Sequence, residues 1–347
     1  MADGGAGETA STTADAESVA PVADRLAFVD ALRGLAVCRV VVNHALPWGW
    51  IQWFPSMPIL FFFSGTLVGR SLQTRGWKEV FVGRLRRLAL PVGVYLAFVI
   101  VMEVTGLLRG ATIQLWYLED FVVFTALSGI FLRMIRRAPR LTLAGLLAMV
   151  LGWGLVAGAL KAGHPGMAVH VQELSSGAAY GFFWVLGMVW AERDFAVPRR
   201  NQLVAVVVAG TAIGVATVAF MHGGIDATAA ANLYGLALAG TGLAGLALGL
   251  VFRRQLEVLM HVRGVGRFMR YINHRLLTVF LWHVPALLVG WKLAHALDLR
   301  GGAAALLVLA VTISLTAVAT ALLGGLEDRA AASSKKAGSA AIDLRAG

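Results

Sequence analysis

Arg33 and His44 lie eleven positions apart in the run Phe28-Val-Asp-Ala-Leu-Arg-Gly-Leu-Ala-Val-Cys-Arg-Val-Val-Val-Asn-His-Ala, which is otherwise largely apolar. At about 100° and 1.5 Å per residue, that spacing returns a helix to within about 20° of one face and separates the two residues by roughly 16 Å along its axis. They therefore share a stripe. Asp30 sits three positions before Arg33 on the same face and is expected to pair with it, which lowers the cost of a charge inside a bilayer. A neutral imidazole with a pKa near 6.5 can remove a proton from a hydroxyl as that hydroxyl attacks an electrophile, so His44 is the candidate general base. Cys38, the only cysteine, points away from this stripe and reads as a small packing residue.

The elements that must position these side chains are transmembrane helices. Of the 347 residues 58% are hydrophobic and 14% charged, against roughly 25% charged in a soluble protein. That apolar excess is too large for a water-exposed surface to hide, and it falls in segments long enough to cross a bilayer. Ten spans are expected, centred near Val37, Phe62, Phe98, Phe124, Met149, Phe183, Val207, Leu238, Phe280 and Val311. The fold class is thus an all-α polytopic membrane bundle.

The net charge of +11 does not point to nucleic acid, because the cations sit in short loops between the apolar runs. Alternate loops carry eighteen of them, from Arg70 through Arg84, Arg86 and Arg87, then Arg133 to Arg140, Arg193 to Arg200 and Arg253 to Arg270. The opposite loops carry only Arg109, Lys161, Lys292 and Arg300. This split predicts a multi-pass cell-membrane protein with both termini in the cytoplasm. Residues 1–25 and 326–347 are expected to be solvated cytoplasmic tails around a membrane domain of residues 26–325. His164, His170 and His222 read as residues of the opposite loops, the longest of which is expected around Gly163 to Glu173, and no metal-ligand spacing is present.

Five segments in order resemble the membrane-bound acyltransferase-3 family of ten-span O-acyltransferases, from about Phe28 to Leu323. The first is Asp30, Arg33, Gly34, Leu35 and Ala36, with ten residues between Arg33 and His44. The second is the aromatic run Phe61, Phe62, Phe63, Ser64, Gly65, one residue shorter between the Phe pair and the Ser than the family pattern. Then come Arg84, Arg87, Leu88 and Pro91 before the third span, and Leu115, Trp116, Tyr117 and Leu118 at the fourth. The last is Leu281, Trp282, His283 and Pro285, with Phe280 where the family usually has Tyr.

The resemblance implies transfer of an acyl group, usually acetyl, from acetyl-CoA or another acyl-CoA to a hydroxyl of a carbohydrate or small-molecule acceptor. It implies His44, Arg33 and Asp30 as the catalytic group. Arg84 and Arg87, at the cytoplasmic mouth of the third span, are then expected to hold coenzyme A phosphates as guanidinium forks do, with Ser64 nearby. Trp116, Glu119 with its neighbour Asp120, and His283 are expected on the acceptor side. A transporter or flippase is the competing reading for a polytopic chain with Arg and His inside the membrane. No internal repeat supports it, since the second half has no counterpart to Arg33 and His44.

Overall fold

The computed structural model describes residues 22–46, 48–161, 163–222 and 234–333, and every regular element among them is a helix. They are α1 (Val22–Ala45), α2 (Ser56–Thr74), α3 (Trp77–Val104), α4 (Trp116–Arg137), α5 (Pro139–Leu160), α6 (Pro165–Glu192), α7 (Arg200–His222), α8 (Gly235–Val251), α9 (Arg253–His261), α10 (Arg263–His274), α11 (Leu276–Ala296) and α12 (Gly301–Leu323). Short 3-10 turns at Gly49–Trp53 and Ile113–Leu115 precede α2 and α4. Each of the ten expected span centres falls in a separate long helix.

Among the described residues seven helices are both long and apolar enough to cross a bilayer, and α8 makes an eighth if taken with α9 across a 63° bend. The two long helices that miss the criterion are α1 and α4. Asp30, Arg33 and Arg39 interrupt α1, while Glu119, Asp120 and Arg133 interrupt α4. They miss it because they carry the residues with chemistry.

Three expectations are corrected. The basic loop between the eighth and ninth spans is folded into α9 and α10. Arg263, Arg267 and Arg270 are exposed on α10, while Gly266 and Met269 are buried. The Met269 sulfur occupies the space beside Gly34 of α1, where a Cβ would come within 2.6 Å of it. Asn273 Nδ2 also donates to the Asp30 carbonyl at 2.6 Å, seating α10 under α1.

The long loop expected up to Glu173 is helix from Pro165, a proline at a first-turn position where its missing N–H costs nothing. His164 stands just before that helix and makes no side-chain cap, His170 lies in its first turns and His222 ends α7. The polar residues of Val169-His-Val-Gln-Glu-Leu-Ser-Ser lower hydropathy without Gly or Pro to stop a helix, so the apolar span ends before the helix does.

Beyond Gly324 the chain is helical again through Ser333, past the expected start of the tail. Glu327 Oε1 accepts from the Thr278 backbone N–H at 2.8 Å, and Asp328 accepts from Arg275 at 2.7 Å. These carboxylates tie the end of the α12 segment to the start of α11.

The core sits between α2 and α6. Lipid tails are as apolar as Leu, so helices in a bilayer associate through close packing rather than water exclusion. A Cβ on Gly65 would come within 2.0 Å of the Trp184 carbonyl oxygen, and one on Gly187 within 1.9 Å of that of Phe62. This reciprocal pair lets the two backbones touch, and Phe61, Phe63, Phe183 and Trp184 fill the space around the contact. Most of α1 lies against this core, with Phe28, Leu32, Ala36 and Val37 buried.

Candidate active site

His44 stands in the last turn of α1 and His283 in the first half of α11. The His44 ring is exposed and His283 is completely buried. His44 Nδ1 lies 3.0 Å from His283 Nε2. The ring centroids are 5.2 Å apart with planes within 10° of each other. A 3.0 Å nitrogen–nitrogen bond with a ring radius at each end accounts for that separation, so the two imidazoles join edge to edge.

The next contact fixes the protons. His283 Nδ1 is 2.6 Å from the Phe280 carbonyl oxygen. A carbonyl only accepts, so Nδ1 of His283 carries the hydrogen, and Nε2 of the neutral ring carries a lone pair. His44 Nδ1 must then donate to it. The remaining nitrogen, His44 Nε2, is left with its lone pair free, which is the form a general base needs. Both nitrogens of His283 are engaged within the protein, so neither remains for the acceptor contact expected of it.

Helix α11 is shaped around this residue by Pro285, which lacks the N–H that would bond to the carbonyl four residues earlier. That carbonyl belongs to Leu281, and Gln114 Nε2 donates to it at 3.0 Å from the turn before α4. Gln114 Nε2 also bonds to the Tyr95 hydroxyl, which donates to the Ala111 carbonyl at 2.5 Å. Tyr95 and Phe98 of α3 pack on Trp282, with centroids 5.6 and 4.7 Å away. Gln114 and Tyr95 support this turn of α11, and sequence reasoning missed both. The available signal was Pro285, which announces an orphaned carbonyl without saying what satisfies it.

Arg39 was also missed as a positioning residue. Its Nε and one terminal nitrogen both donate to the Ile51 carbonyl, at 2.9 and 2.7 Å. This fork folds the α1–α2 connection back along α1, beside the dyad.

A second group gathers lower on α1. Ser64 of α2 interacts with the hydroxyl of Tyr117 of α4, and Arg33 and Arg84 are electrostatic neighbours of that hydroxyl and of each other. The Arg84 guanidinium lies 6.0 Å from the centroid of the Phe121 ring. Neither arginine forms an ion pair among the described residues; the expected Asp30–Arg33 bridge is absent. Asp30 stays an electrostatic neighbour of Arg33 without reaching ion-pair distance, and two cations with no carboxylate bonded to them make a site suited to an anion.

Other expected residues border the second group: Arg87 is an electrostatic neighbour of Arg84, and the Trp116 ring meets that of Tyr117 with centroids 6.3 Å apart. Arg87 is exposed, like Arg86. Glu119 is exposed and Asp120 is the more buried of the two. Trp116, 40% exposed, stacks on Tyr180 with centroids 5.3 Å apart.

Comparison with protein families matches residues 26–323 to the acyltransferase domain of the acyltransferase-3 family. The chain belongs to this family. Comparison with curated proteins and with solved structures gave no match. The matched region runs from α1 to the end of α12, so this acyltransferase-3 protein keeps the His44–His283 dyad and the Arg33–Arg84 group within its family domain. By family it is a membrane acyltransferase, and its apolar helices are those of a membrane bundle.

Proposed function

We propose that this acyltransferase moves an acyl group, acetyl in the simplest case, from a cytoplasmic acyl-CoA to a hydroxyl of a sugar or other small acceptor, with His44 as general base. The carrying observation is the chain from the Phe280 carbonyl through His283 to His44 Nδ1, which leaves His44 Nε2 as the free basic nitrogen. Nε2 takes the proton of the acceptor hydroxyl as its oxygen attacks the thioester carbonyl. His44, now an imidazolium, keeps its Nδ1–H bond to His283. As the carbon–sulfur bond breaks, His44 returns the proton to the departing thiolate, and the products are an ester and free coenzyme A. His283 orients and stabilises the base, as a third group does in other base-assisted acyl transfers.

Arg33 and Arg84 supply the positive charge that a phosphate-bearing donor requires, on the arginine-rich side assigned to the cytoplasm. Because α1 is one unbroken helix, Arg33 and His44 stand roughly 16 Å apart along it. A long thioester can span that distance, held by its anionic part at one end and presenting its carbonyl at the other.

His44→Ala is expected to lower turnover by about 10² to 10⁴-fold while acyl-CoA binding stays within about twofold of wild type. His44→Gln should do no better. The check is acyl transfer by purified protein, with folding followed in parallel by size-exclusion profile. Well-folded His44→Ala with near-wild-type turnover would refute the assignment.

A further inference from the structure

Where α2 ends and α3 begins, a cavity of about 390 Å³ opens against the last turns of α4, lined by Leu72, Arg75, Trp77, Gly129, Arg133 and Arg136 among others. It is separate from the dyad and from the Ser64–Tyr117 contact, and its volume falls within the range of small-molecule sites. One wall is set firmly. The Trp77 ring lies on Gly129, where a Cβ would meet it at 2.8 Å, and its indole N–H donates to the Ala126 carbonyl at 2.9 Å. Its ring also runs parallel to that of Phe81, with 9° between the planes.

The charges around this wall are unequal. Arg136 is neutralised by Glu192, to which it donates two bonds at 3.1 and 3.3 Å. Arg75 and Arg133 form no ion pair among the described residues. Two uncompensated guanidiniums and one fixed aromatic ring therefore share the cavity. Arg75 is also an electrostatic neighbour of Arg84, so the positive lining continues inward to the Arg33–Arg84 group.

We propose that this cavity is the subsite for the phosphorylated nucleotide end of the donor, with Arg75 and Arg133 on the 3′-phosphate and Trp77 on the adenine ring. The assignment rests on the acyl-CoA reading above. Guanidinium forks match phosphate oxygens, and the part of this fixed indole left open by Gly129 and Phe81, 39% of the residue, offers aromatic surface to a base. A lipid headgroup would use the arginines equally well, yet it has no planar group to place on Trp77.

The test uses the full chain in phosphatidylcholine nanodiscs and measures direct binding of coenzyme A, 3′-dephospho-coenzyme A and adenosine 3′,5′-bisphosphate. Wild type should bind coenzyme A at least about tenfold more tightly than the dephospho form, and should bind the bisphosphate alone. Arg75→Gln with Arg133→Gln should weaken coenzyme A about tenfold or more and erase the preference for the 3′-phosphate, leaving dephospho-coenzyme A little changed. Trp77→Leu should weaken all three ligands, with Trp77→Phe largely restoring them. In turnover the double variant should raise the donor KM far more than it lowers kcat.

Variants that bind coenzyme A as wild type does would overturn the subsite and leave the donor reading standing. An arginine effect seen only when anionic phosphatidylglycerol replaces phosphatidylcholine would overturn it in favour of a lipid headgroup. Wild type that fails to bind coenzyme A would remove the donor reading itself.

Discussion

Two sets of helices in this molecule answer to different solvents. In α2 and α6, 67% and 72% of the most apolar window is buried in the protein; in α5 and α3 the figures are 11% and 17%. The apolar stretches of these outer helices suit contact with lipid, while the first turns of α3 carry charge, Arg84 of the site included. The inner set, with α1 and α4 at its edge, tolerates Arg33, Arg39, Asp120 and a fully buried His283 because other protein groups meet them there. Hydropathy thus marks the scaffold most clearly where there is least chemistry. The helices that score worst, α1 and α4, carry much of the site.

The sharpest way to break this contrast is to enlarge a glycine in each set. Gly65→Leu or Gly187→Leu would drive a side chain into the facing backbone, and we expect loss of the folded, monodisperse protein in detergent, an effect of 3 kcal/mol or more in stability, about the upper end of overpacking costs. Gly152→Leu on α5, where a Cβ meets nothing within 4 Å, should express and elute as wild type. Equal tolerance at the two positions would dissolve the distinction between inner and outer helices.

The next effect in size lies within the inner set. His283→Ala should leave His44 without its acceptor, free to adopt either tautomer, and reduce turnover by about 10²-fold. Donor KM should change little, since His283 has no nitrogen left for a ligand. The rise of rate with pH as His44 loses its proton should persist, because the base itself is still present. A His283→Ala enzyme whose main defect is acceptor KM would return His283 to the acceptor side.

Smaller still is the patch over the proline gap. Gln114→Leu leaves the Leu281 carbonyl and the Tyr95 hydroxyl without their bonded amide, and should cost about 1 to 3 kcal/mol in stability. A lowered thermal midpoint with activity mostly retained is the expected outcome. At the bottom of the range, Leu155→Ala on α5, at a residue 64% exposed, should stay within about 0.5 kcal/mol of wild type.

The same division explains what the sequence could disclose. The ten long helices were legible because apolar runs and alternating arginine loops are local signals. Arg33 and His44 were legible as a pair because one helix carries both. The partnership of His44 with His283 was not, since 239 positions separate them and no periodicity links two helices. Spacing placed Asp30 beside Arg33, where it remains an electrostatic neighbour, but could not tell that the two stop short of an ion pair or that α10 would bond to the Asp30 backbone carbonyl. Helix α10 was hidden because basic residues between spans read as loop, although its arginines face outward and Met269 inward in a helical pattern.

The carboxylates after α12 have a mechanical meaning. Glu327 and Asp328 fasten the end of that helical segment to Thr278 and Arg275 at the start of α11, while Gly290 brings α11 against Val308 farther along, where a Cβ would lie 3.1 Å from its Cα. A rod held at one point swings like a cantilever; one held at two behaves as a supported beam. His283 lies between those two supports, so the ring that aligns the base is carried on a span of α11 that is held at both ends.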